Sequence, residues 1–139
     1  MHNRQRRWIV ALVLYLAIIG LILWLAYRGQ IPAIIAQVPY YDKFAHALLM
    51  GALGYLMHRA MDRRTLRIGP LALPLGFLLA TSLIFMEELA QFWSPFRNSS
   101  PIDFAADLLG LAVWWITDRV LEGHVAMAAG HKIETKELS

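Results

Sequence analysis

Residues 8–27 read WIVALVLYLAIIGLILWLAY, a run of 20 residues without a single charge. A helix rises 1.5 Å per residue, so this run is ~30 Å long, about the thickness of a bilayer's hydrocarbon core. Its apolar residues fall on every face rather than along one stripe, and a single neighbouring helix cannot cover them all. Arg4, Arg6 and Arg7 precede the run and give it the look of a secretion signal. Its apolar core is too long for one, however, and WLAYRG (24–29) offers no small-x-small cleavage site. The segment is expected to be a retained helix.

Working outward, three further apolar segments follow: Phe44–Met61, Pro70–Trp93 and Phe104–Leu121. With 58% hydrophobic residues in 139, the chain is expected to be all-α, a polytopic membrane protein with four transmembrane helices in a small bundle. Residues 1–122 form the single domain, and residues 123–139 read as a short polar tail, expected to be mobile. The chain has no cysteine, which removes disulfides and thiolate metal sites. Its net charge of +3 could point to nucleic acid, but the basic residues are distributed as topology determinants. Arg4, Arg6, Arg7, Arg59, Arg63, Arg64, Arg67, Arg119, Lys132 and Lys136 lie on one side of the four segments, against Arg28, Lys43 and Arg97 on the other. By the positive-inside rule both termini are cytoplasmic, with room for contact to anionic lipid and no need of a nucleic-acid partner. Trp8 and Trp93 read as interfacial anchors, and Trp24, Trp114 and Trp115 as lipid-facing or, less simply, as protein contacts.

This orientation carries polar residues from three segments to the outer face. Asp42 and His46, four apart, share a helical face. Asp42, shortly after Pro39, also reads as an N-cap; His46 lies a turn deeper, beyond capping reach. Ala47, Gly51 and Gly54 have the spacing that lets a neighbouring helix approach closely. In SSPID, Ser100, Pro101 and Asp103 read as N-cap, N1 and N3 of a capping box, with Asp107 one turn further in. Glu88 and Gln91 share a face near the end of the third segment, where a carboxylate opposes the helix dipole. Buried charge in a membrane needs partners, and His46 and Arg97 are the expected ones for Glu88. Glu87 is expected to point elsewhere. His46, Glu88 and Asp107 should then form one layer, with Asp42, Lys43, Arg97 and Asp103 as a rim above it. Acids outnumber bases there, and the crowding is expected to push some carboxylates towards protonation.

The same residues carry a resemblance. DKFAH (42–46) followed by EELAQFWSPFRNSSPIDFAADLLG (87–110) resembles the VanZ-like family of small bacterial membrane proteins, related to teicoplanin resistance. The pattern covers Asp42, Lys43, His46, Glu88, Gln91, Phe92, Arg97, Asp103 and Gly110, over about 42–110; Asp107 stands where the family usually has Asn. The resemblance implies a bacterial cytoplasmic-membrane protein acting at the cell envelope, without fixing a reaction.

The leading expectation is a ligand site formed by Asp42, Lys43, His46, Glu88, Gln91, Arg97, Asp103 and Asp107 for an envelope component, a lipid-linked precursor or another small amphiphile. Arg97 and Lys43 would hold a phosphate or carboxylate, while His46 and Glu88 handle a proton. Those two are also the catalytic candidates, His46 acting as general base with Asp42 or Glu88, and Ser99 or Ser100 as nucleophile. Both serines are already explained by the turn and cap. His46, Glu88, Asp103 and Asp107 are possible metal ligands, but one histidine without paired spacing argues against a metal, and no cofactor is expected. Haem is not expected, because His46 lies near one face and His58 and His124 near the other. The alternative is an accessory or assembly subunit of a larger membrane complex, its ion pairs purely structural and its partner another membrane protein.

Overall fold

The computed structural model describes residues 3–30, 40–95 and 100–137, with side chains as far as residue 124. Among the described residues four helices, α1 (Asn3–Tyr27), α2 (Tyr41–Ala60), α3 (Leu75–Gln91) and α4 (Pro101–Glu137), surround one apolar core. Only α1 among them is both long and apolar enough to cross a membrane, with a mean hydropathy of 2.9 over 18 residues. The reasons are local. α3 has 17 residues, α2 carries Asp42, Lys43 and Arg59, and the apolar run of α4 is interrupted by Asp103, Asp107 and Asp118.

α2 is the central helix, packed against the other three. α1 runs antiparallel to it: Gln5 reaches the Ala60 carbonyl, Trp8 stacks edge-on to Tyr55, and the Tyr15 hydroxyl donates to the Leu49 carbonyl at 2.7 Å. α4 runs parallel to α2, so both begin at the same end of the bundle, where α3 also finishes. The core joins Ile19, Leu53, Phe77, Ala80, Ile84 and Leu111. Trp114, expected to face lipid, instead packs partly buried against this core and Tyr55.

The small residues set the helix spacing, as their pattern predicts. A Cβ on Gly110 would land on the Ala47 backbone, and one on Gly51 would lie 2.6 Å from the Gly110 carbonyl oxygen. Gly54 lies against Phe77 and Leu111, and Gly76 against the His58 backbone. Close approach of backbones is what such residues permit.

Two elements depart from expectation. Between α2 and α3 lies an antiparallel hairpin, β1 (Thr65–Ile68) and β2 (Leu71–Pro74), with Ile68 opposite Leu71. Its two-residue turn is Gly69-Pro70, and Gly69 takes φ 58°, as the first central position of such a turn demands. The third helix therefore starts at Leu75, not Pro70. At the other end, α4 continues to Glu137, so residues 123–137 extend a helix rather than forming a loose tail.

Candidate functional site at the polar end of the bundle

His46 lies just over one turn into α2 and Asp107 just over one turn into α4. Because these helices run parallel at glycine-set spacing, the two side chains meet, with His46 Nδ1 3.0 Å from Asp107 Oδ1. Glu88 enters from α3. Its Oε1 accepts from Gln91 Nε2 at 3.4 Å and its Oε2 from the Ser100 backbone N–H at 3.2 Å. His46, Glu88 and Asp107 each offer a ligating atom within 4.8 Å of the others. The layer expected from the sequence is thus assembled by three different helices. It is enclosed: Glu88 is 6% exposed, Gln91 1% and Asp107 0%.

The caps are rearranged in a way that builds this layer. In a capping box, Asp103 would cover the Ser100 N–H; here Glu88 covers it, and Asp103 turns to Lys43. Glu88 opposes the dipole of its own helix, but it sits against the N-terminus of α4, where a carboxylate is favoured. At the start of α2 the cap is Tyr40, at φ 56° and without a side-chain cap bond. Asp42 is therefore not the N-cap but a residue of the first turn.

Above the layer, Lys43 Nζ bridges Asp42 Oδ2 at 2.6 Å and Asp103 Oδ1 at 2.5 Å, tying α2 to α4. Its bonds to Asp103 and then Asp42 raise the Lys43 pKa, and the Lys43 bond holds Asp42 below its ordinary value. At Asp42, then, a neighbouring cation outweighs desolvation, and the carboxylate is not pushed towards protonation. Lys43, expected to hold a ligand's phosphate or carboxylate, is already engaged by two carboxylates. Arg97 and Ser99 lie outside the described residues. Glu87 was expected to point away; instead its Oε2 accepts from Gln91 at 2.6 Å and its Oε1 from the Tyr27 hydroxyl at 3.4 Å.

Two cavities open beside the layer. One of about 100 Å³ has apolar walls from Ile19, Ile22, Leu23 and Ala26 of α1, and Asp42, His46 and Glu87 on its polar side. The other, of about 210 Å³, is lined by Leu16, Ile84 and Leu83 together with Glu87 and Asp107.

At the opposite end, the fully buried Asp118 holds Arg59 and Arg63, both at 3.1 Å through Oδ1, and Arg63 also pairs with Glu122. This cluster is not among the sites expected from the sequence. One signal was available: Asp118 lies 11 residues, about three turns, beyond Asp107 and so on the same stripe of α4. A cleft of about 200 Å³ adjoins it, lined by Arg4, Gln5, Trp8, Arg59, Asp62 and Arg63.

Comparison with protein-family profiles, characterised proteins and solved structures finds no match to this chain.

Proposed function

We propose that this chain is a VanZ-like, multi-pass protein of the bacterial cytoplasmic membrane. Four spans place both termini in the cytoplasm, and the layer of His46, Glu88 and Asp107 lies just beneath the outer face. Its role is to bind a cell-envelope amphiphile, of which a lipid-linked precursor is the leading case.

Surface chemistry supports the membrane reading. All four helices present large apolar side chains outward, among them Leu14 and Leu21, Phe44 and Leu48, Phe85 and Met86, and Leu109 and Ile116, each about half exposed or more. Soluble monomers rarely expose contiguous apolar surface on this scale. Asp107 and Asp118, which lower the hydropathy of α4, are turned inward and buried, so the outward face of that helix stays apolar. α1 is only 11% buried over its most apolar window, unlike the core helix of a soluble protein. It also packs on α2 along its length, as a retained span does.

The observation that carries the ligand reading is the smaller cavity, whose wall is hydrocarbon on one side and Asp42, His46 and Glu87 on the other. At about 100 Å³ the cavity takes only part of a ligand, and such a wall suits the junction between an apolar chain and a polar head. Native mass spectrometry of protein extracted with its own lipids tests this, comparing wild type with His46→Ala and Arg97→Ala. An adduct present in wild type and lost in both variants, with helicity retained, is the expected result. An unchanged adduct, or none in wild type, favours the structural role in which the Lys43 bridge simply joins helices within a larger assembly.

A further inference from the structure

We infer that His46, Glu88 and Asp107 form a binding site for a divalent transition-metal cation, of the class of Zn²⁺ or Mn²⁺. Three helices converge one nitrogen and two carboxylate ligands on a single point that already holds a buried, unsatisfied oxygen. Along the sequence, one histidine without paired spacing is poor evidence for a metal. The missing ligands are supplied by tertiary structure: α2 contributes His46, α3 Glu88 and α4 Asp107.

The first observation is convergence. Ligating atoms of the three residues lie within 4.8 Å of one another, so side-chain shifts of about 1 Å bring them to the separations that ligand bonds of about 2.0–2.2 Å around one ion require. The second is independent of that spacing. Asp107 is fully buried, and its Oδ2 has no hydrogen-bond partner among the described residues. Gln91, 1% exposed and bonded to Glu88, likewise leaves its Oε1 without a partner. Its Nε2 donates to the carboxylates of Glu87 and Glu88, which fixes the amide so that Oε1 is the acceptor left over. A buried acceptor without a donor is costly, more so when charged, and native proteins rarely leave two together. An ion that accepts oxygen lone pairs answers that need.

The donor set selects the class of metal. Imidazole with carboxylates suits Zn²⁺ and Mn²⁺; Ca²⁺ and Mg²⁺ prefer all-oxygen shells, and soft ions need thiolates that this chain lacks. Three protein ligands also leave a coordination position open, as catalytic rather than purely structural zinc sites do.

The inference deepens the proposed function and rests on it for one step only, the identity of what meets the open position. Lys43 is occupied by Asp42 and Asp103, and the layer beneath it is acidic, so a phosphate would be repelled. A bound cation converts the same layer into one that accepts a phosphate or carboxylate oxygen. The cation site itself stands on the geometry of the three ligands.

The test uses full-length protein purified without metal-chelate resin, stripped with a chelator and desalted. Zn²⁺ or Mn²⁺ is then added, and bound metal is measured by elemental analysis alongside thermal unfolding. Wild type is expected to hold one equivalent and to melt higher with metal. His46→Gln, Glu88→Gln and Asp107→Asn should each lose tenfold or more in affinity, while His124→Gln keeps wild-type binding. Zinc-edge absorption of wild type, expected to show imidazole and oxygen ligands only, does not depend on any variant folding. Substoichiometric metal in wild type, or binding that survives His46→Gln and Asp107→Asn, overturns the site. Native mass spectra of stripped and metal-loaded protein separate this inference from the proposed function. An amphiphile that stays bound after stripping removes the cation's role and leaves the ligand reading standing. Stoichiometric metal with no amphiphile in either state removes the ligand reading and leaves the cation site.

Discussion

Replacing Gly110 with alanine probes the link between helix spacing and the polar layer. The added Cβ would lie 2.6 Å from the Ala47 carbonyl carbon and 2.7 Å from its Cα. Carbon atoms in contact prefer about 3.5–4.0 Å, and backbone cannot rotate aside as a side chain can, so α2 and α4 must part by roughly 1 Å. Overpacking of this kind costs about 1–3 kcal/mol. His46 precedes Ala47 directly and Asp107 lies one turn before Gly110, so their 3.0 Å contact would stretch to about 4 Å, outside hydrogen-bond range. Losing a bond to a charged group adds about 1.5–3 kcal/mol. A destabilisation of roughly 3–5 kcal/mol is therefore expected, measured by thermal or denaturant unfolding of purified protein followed by circular dichroism. The control is Gly123→Ala on the same helix, where nothing lies within 4 Å of the new Cβ. There, better helix propensity should stabilise by about 0.5–1 kcal/mol. Were Gly110→Ala to melt at or above wild type, the close parallel crossing of α2 and α4 would be wrong, and with it the assembly of the layer.

Two further outcomes follow from the charged clusters. Arg59→Ala and Arg63→Ala should each cost about 1 kcal/mol, because the other guanidinium still covers Asp118 Oδ1. Combined, they strand a buried carboxylate and should cost about 3–5 kcal/mol; additive costs in a double-mutant cycle would dissolve the cluster as a unit. At the rim, Asp42 sits below its ordinary 3.8, so its contribution is present above that pH and lost as pH falls through the lowered value. Lys43 sits above its ordinary 10.5, so its contribution is present below that pH and lost as pH rises through the raised value. The bridge's own contribution should therefore hold level between these limits, so the difference in melting temperature between wild type and Lys43→Met should be constant there and shrink on both flanks; superimposable wild-type and variant profiles would count against the bridge.

Much of the site was legible along the chain because helical periodicity turns sequence spacing into angular position. Asp42 with His46, and Asp103 with Asp107 and Gly110, repeat at one-turn intervals, and each set reached one face as its spacing predicts. Legibility failed where a choice depended on competing partners. Asp103 could cover Ser100 or bridge to Lys43, and only the position of Glu88 decided between them. Glu87 and Glu88 are adjacent, yet both turned inward because Gln91 and Tyr27 lie in reach of Glu87. The hairpin was missed because Thr65–Pro74 is exposed on almost every residue and lacks a buried alternation to mark it, although Gly69-Pro70 is a turn dipeptide.

Local spacing and hydropathy by themselves determined that this chain forms apolar helices and that their polar residues gather at helix ends. Those are properties of a helix and its solvent, and they need no knowledge of neighbours. Tertiary structure alone decided that His46, Glu88 and Asp107 share a point, since they sit on three helices and their distance depends on how closely α2 and α4 pack. It likewise decided that Asp118 is held by two arginines rather than left exposed. Coordination and ion pairing fall off over a few ångströms, and at that scale sequence spacing along separate helices carries no information.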